Sequence, residues 1–155
     1  MSCSVLALLL GTFLDVGAQT ILQWPVVEVR QVGSSLSLQC TVTGTSNPTL
    51  YWYWQATGGA PQLLFYSLDM DNIKGEAPKH FSAFRPRDGQ FTLNADKLQP
   101  GDSGVYLCAL EENSGLSSYE RHFGPGTKLK VVDNLTKVNP PKVAVFEPSE
   151  VEISR

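Results

Sequence analysis

Asp102-Ser103-Gly104-Val105-Tyr106-Leu107-Cys108 ends 68 positions after Cys40, with Trp52 in between. Fifteen residues past Cys108, Phe123-Gly124-Pro125-Gly126 opens an alternating stretch of strand formers. Two cysteines at this separation can join two stacked sheets. The tryptophan supplies an indole to pack on the bridge. The expected core is therefore Cys40, Trp52, Tyr106 and Cys108, with Asp102 beside it.

The neighbouring sequence follows strand periodicity. Leu36, Leu38, Cys40 and Val42 alternate with Ser37, Gln39 and Thr41, which marks one buried face. On the next strand Leu50, Trp52 and Trp54 share one parity, and Tyr51, Tyr53 and Gln55 the other. Gly58-Gly59-Ala60-Pro61 reads as a turn before a strand over 62–66. Residues 81–84 and 90–93 form a hairpin pair around Pro86-Arg87-Asp88-Gly89, and 105–110 and 127–132 are the last two strands. No long segment has helical period and no internal repeat is present. Residues 19–132 thus read as one all-β domain of the usual sandwich size. Two strands between the first cysteine's strand and the Phe81 region, beyond the tryptophan strand, suit a nine-strand over a seven-strand sandwich.

The ends bound the setting. An apolar run from Val5 to Leu14, then Val16-Gly17-Ala18, reads as a secretory signal peptide over 1–18, too short to span a bilayer. It lacks the usual positive leader residue. Removing it takes away Cys3, and the oxidising route makes pairing of Cys40 with Cys108 the expected outcome. Closing that loop stabilises the fold by roughly 4 kcal/mol on the chain-entropy account. One of the 15 acidic residues, Asp15, also lies in the leader, leaving 14 against 12 basic ones. Without a basic stripe, nucleic acid is not an expected partner. No later stretch is apolar enough to cross a membrane, so anchorage is expected through a further C-terminal segment. Residues 133–141 read as a linker, and 142–155 as the truncated start of a second domain, too short to bury a core.

Together these motifs resemble an immunoglobulin-like β-sandwich of variable (V-set) type, and more narrowly a T-cell receptor beta chain. The motifs carrying the resemblance are Trp52-Tyr53-Trp54-Gln55, where the family usually has Trp-Tyr-Arg-Gln, and the run from Asp102 to Cys108. Ser118-Tyr119-Glu120-Arg121-His122-Phe123-Gly124-Pro125-Gly126-Thr127 is similar to a joining segment. Asn139-Pro140-Pro141-Lys142-Val143-Ala144-Val145-Phe146-Glu147-Pro148-Ser149 is similar to the opening of the beta constant region. The resemblance implies an alpha-chain partner, a peptide held by an MHC molecule as ligand, and signalling subunits contacted through regions beyond this sequence. It also implies passage through the secretory pathway to the outer face of the plasma membrane, in an adaptive immune response.

Three hypervariable loops are expected at one end of the sandwich. Thr45, Ser46 and Asn47 belong to the first, and Ser67, Leu68 and Asp69 to the second. Glu111, Glu112, Asn113, Ser114, Gly115, Leu116, Ser117, Ser118 and Tyr119 belong to the third. The mixture of charge, small residues and an aromatic suits adaptable contacts around an anchor. Glu111 and Glu112 are expected to favour a basic residue in the bound peptide. Tyr53, Gln55, Pro61, Leu63 and Phe123 are the expected chain-pairing face, Gln55 being able to exchange two hydrogen bonds with a like residue across a pseudo-two-fold axis.

Trp54 departs from the family pattern, in which an inward arginine pairs with the aspartate matching Asp102. Lys79, His80, Arg85 or solvent is left to serve that carboxylate. A less stable domain follows, and Trp54→Arg is expected to stabilise it. Asn134-Leu135-Thr136 is a glycosylation sequon at Asn134. Two scattered histidines and the absence of a nucleophile motif leave no catalytic, metal or cofactor site in prospect. The competing readings are a variable-type domain of an adhesion or innate receptor, and an antibody light chain.

Overall fold

Along Leu36–Thr43 (β3), every second side chain is buried, so Leu36, Leu38, Cys40 and Val42 form one wall of the core. A computed structural model of the chain describes residues 19–112 and 121–134. The signal-peptide, linker and second-domain expectations therefore lie outside the described residues, apart from Asp133 and Asn134. The other strands are Thr20–Trp24 (β1), Val27–Gln31 (β2), Thr49–Gln55 (β4), Gln62–Asp69 (β5), Asn72–Gly75 (β6), Phe81–Arg87 (β7), Gln90–Ala95 (β8), Gly104–Glu111 (β9), Arg121–Phe123 (β10) and Thr127–Val132 (β11). One 3-10 turn, Pro100–Asp102, precedes β9.

These strands make two sheets. The first runs β1-β3-β8-β7; the second runs β2-β11-β9-β4-β5-β6, with β10 on β9. All pairs are antiparallel except β2 with β11. Ahead of the first expected strand, β1 and β2 flank the cis Trp24–Pro25 bond and join different sheets. The last expected strand, 127–132, is β11, and the short β10 precedes it on the same sheet. The sandwich is thus of the variable type.

A disulfide joins Cys40 of β3 to Cys108 of β9 and ties the sheets together. Trp52 is fully buried and lies 6.4 Å from Phe91, ring centre to ring centre. Tyr106 returns its hydroxyl to the Asp102 carbonyl at 2.5 Å, and burial raises its pKa well above the usual tyrosine value. β5 continues through Ser67–Asp69, because Ser67 still pairs with Leu50 and Ile73, so the second loop contracts to the turn at Met70 and Asp71.

Candidate binding surface

The third loop leaves the sheet between β9 and β10, whose register pairs Arg121 with Glu111 and Phe123 with Ala109. Asn113, Ser114, Gly115, Leu116, Ser117, Ser118 and Tyr119 lie outside the described residues. The base of the loop is a network of polar contacts. Tyr51 Oη donates to Glu111 Oε1 at 2.7 Å, while Glu111 Oε2 lies 3.4 Å from Arg121 Nη2. Arg121 also donates to Tyr53 Oη at 2.6 Å and stacks its guanidinium 4.3 Å from the centre of the Tyr51 ring. Burial first, and the Glu111 hydrogen bond second, push the Tyr51 pKa up to about 12. On the other side Glu112 accepts hydrogen bonds from Gln19 Nε2 and, at 3.4 Å, from Thr45 Oγ1. Both glutamates are therefore engaged within the chain. Their carboxylates brace the loop's base, a role that the expected selection of a basic peptide residue did not include.

The first loop reaches the same end, since Thr45 touches Glu112. Ser46 and Asn47 are exposed, and Asn47 takes a left-handed backbone (φ 49°), a conformation that asparagine tolerates better than most residues. Around the second loop, Leu68 and Asp69 at the end of β5 and Met70 in the turn are exposed. Ser67 is not. It is fully buried, donates to the Asp69 carbonyl at 2.6 Å, and cannot serve as a surface contact, because in the continued strand its side chain faces the interior.

The opposite parity of β4 forms a separate cluster on the outer face of the second sheet, built from Tyr51, Tyr53 and Ala109 with Tyr66 and Leu107. Tyr53 sits here as expected but is only 8% exposed, because Arg121 and Phe123 fold over it, the Phe123 ring centre lying 5.6 Å away. Phe123 and Leu63 are exposed apolar side chains at this face, with Leu63 paired to Tyr53 in the register and Pro61 exposed just before β5. Gln55 donates through Nε2 to its own turn, at Gly59 O (2.8 Å). Its amide would have to leave that bond to reciprocate with a like residue.

At the other end, His80 is the residue that serves Asp102. With the carboxylate ionised, His80 Nε2 donates to Asp102 Oδ2 at 2.8 Å, and the Gln99 backbone N–H adds a second bond of 2.8 Å. Arg85 lies five residues along the chain from His80, about 16 Å at strand rise, and binds elsewhere. Trp54 turns its Nε1–H to Ser103 O (3.2 Å), beside a cavity of about 200 Å3 shared with Leu64, Phe81 and Asp102. His80, one of the expected candidates, thus stands in for the family's arginine at Asp102, and the case for a weakened domain shrinks accordingly.

Gln23 was not singled out by sequence. It is buried, donates to Tyr106 O (3.0 Å), and accepts from the backbone N–H groups of Cys108 and Gly126 (3.0 and 3.1 Å). A Cβ on Gly124 would come within 2.6 Å of the Gln23 carbonyl oxygen. Gly126 has φ 92°, which L side chains rarely adopt. The Phe-Gly-Pro-Gly run is therefore shaped by Gln23. A lone glutamine in an N-terminal strand gives no signal of this from sequence.

A bridged, two-layer sandwich whose first loop meets the third-loop stem, with an aromatic face beside them, defines a variable-type immunoglobulin domain. The family model described as Immunoglobulin V-set domain matches residues 25–132. The chain is 61% identical over 109 residues to human T cell receptor beta variable 30, covering 70% of this chain and 98% of that one. It is 42% identical over 159 aligned positions to a viral T-cell receptor beta chain-like protein of feline leukemia virus, covering all of this chain and 48% of the relative. A solved structure described as the structural basis of T cell specificity and activation by the bacterial superantigen toxic shock syndrome toxin-1 superposes with a TM-score of 0.68. It is 28% identical and covers 74% of this chain and 100% of its own. The chain belongs to the T-cell receptor beta-chain variable regions, and so to the antigen-recognition chains of the alpha-beta receptor.

Proposed function

We propose that this chain pairs with a T-cell receptor alpha chain and that the pair binds a peptide presented by an MHC molecule, using three loops of this domain. The observation that carries the reading is the convergence of the first loop and the third-loop stem through Thr45 and Glu112, directly beside an apolar sheet face. Ser46, Asn47, Leu68, Asp69 and residues 113–119 are the proposed ligand contacts, and Gln55, Pro61, Leu63 and Phe123 the proposed pairing contacts. Tyr53 acts beneath Phe123 as its support. The domain acts by binding, with no catalytic step and no cofactor. Signalling passes to associated subunits, and the membrane anchor lies, on this reading, in further C-terminal sequence that carries the domain outside the plasma membrane. Asn134, exposed at the end of β11, is proposed as a glycan acceptor. The adhesion-receptor and light-chain readings are not favoured, because the beta-chain relatives match across the variable region.

The test is co-expression of the full chain with alpha chains and staining with peptide–MHC multimers. Pairing and multimer binding are expected together. Stable display of the full chain on cells without any alpha chain, with unchanged ligand binding, would contradict the reading.

A further inference from the structure

We propose that Arg85 is a positioning residue that couples the first loop, the second loop and the β7–β8 turn into one recognition unit, so that specificity depends on a side chain that no ligand touches. The inference rests on the reading above that these loops contact ligand. The Arg85 side chain is wholly buried. Nε donates to Asp88 O at 3.0 Å; Nη1 donates to Ser67 O and Oγ at 2.9 and 3.1 Å; Nη2 donates to Pro48 O at 2.8 Å and Asp88 Oδ1 at 3.0 Å. Five bonds match the five N–H groups of a guanidinium.

The acceptors come from three separate segments, and each passes the constraint onward. Asp88 Oδ2 accepts from the Asn47 backbone N–H at 2.7 Å, which holds the left-handed residue of the first loop. Ser67 Oγ donates to Asp69 O, which fixes the backbone entering the Met70–Asp71 turn. Burial lowers the pKa of Arg85 from its usual value, opposed by the Asp88 carboxylate, and an arginine stays charged regardless. A buried cation bonded to one half-exposed carboxylate, Asp88, with the Asp69 carboxylate farther off, is held largely by carbonyl dipoles from all three segments. None of them can move alone without leaving part of that charge unsolvated. Lysine is no substitute, since one ammonium cannot span these acceptors in a planar fork.

The test is backbone hydrogen exchange on the full chain without ligand, so its outcome is independent of whether the loops bind peptide–MHC. In Asp88→Ala, a change at a half-exposed side chain, exchange is expected to rise about tenfold or more in both 44–49 and 66–72. Protection around Tyr106 and Cys108 should be kept. Arg85→Lys should loosen the same two segments more strongly, and Asp88→Asn should restore part of the protection. A rise confined to one loop, no rise in either, or an equal rise across the whole domain would overturn the proposal.

Discussion

Asp102 shows how one side chain can be reassigned when its usual partner is missing. With Trp54 in place of arginine, the carboxylate is held by His80 and the Gln99 amide. His80→Ala should therefore destabilise the domain by about 1.5–3 kcal/mol, as loss of a hydrogen bond to a charged, largely buried group does. The cavity beside Trp54 has room for a guanidinium. Trp54→Arg should restore stability in the His80→Ala background and add little to the parent. Chemical denaturation of the four proteins checks this, and a gain from Trp54→Arg as large in the parent as in the variant would count against it. Cys40, Trp52, Tyr106 and Cys108 were legible in the sequence because their roles depend on spacing along two strands. His80 was legible only as one of several candidates for Asp102, and the roles of Gln23 and Arg85 were not legible, because Gln23's partners lie 80 or more residues away and Arg85 joins Asp88, three residues on, to partners 18 and 37 residues back, all chosen by how the strands stack.

Among the elements, the third-loop stem joins a charge cluster to a tyrosine of unusually weak acidity. Tyr51 keeps its proton up to about pH 12 in the fold but only to about 10 when unfolded. Between those values the folded state binds the proton that the unfolded state has lost, so stability is full below pH 10 and falls as pH rises toward 12. Denaturation curves collected across this window should show the fall, and Tyr51→Phe should reduce its slope. Charge reversal at Glu111 should break the contacts with Tyr51 and Arg121 and lower the melting temperature. An unchanged melting temperature together with an altered peptide preference would instead favour a role in peptide selection. Seven strands could be read from alternation and turn signals, whereas β1, β2, β6 and, most plainly, β10 could not. Three exposed residues carry no period, and only pairing with β9 makes them a strand. The end of β5 is hidden in the sequence for a related reason: Ser67, polar and next to a turn, gives no sign that it is buried beside an arginine.

For the molecule as a whole, the disulfide and the two faces divide the work. Replacing both Cys40 and Cys108 with alanine should cost about 2–5 kcal/mol, measurable as a lower denaturation midpoint or as failure to be secreted. Phe123→Asp should abolish pairing with the alpha chain, because it places a charge in the centre of an apolar face. The isolated domain should keep its melting temperature to within a few degrees, since Phe123 is about half exposed. The sandwich and its family were legible at this level because bridge, core indole and joining segment each leave a linear motif. The contact surface was legible only as loop positions, since which side chains face outward depends on how each loop is braced.

One rigid, covalently bridged scaffold is held to present interchangeable contacts at its loop end. The most direct test exchanges residues 113–119 for those of another beta chain in the full receptor on cells. Peptide–MHC multimer binding and surface pairing with the alpha chain are then measured side by side. The expected result is a changed peptide preference with pairing intact. Unaltered peptide preference after the exchange would contradict it.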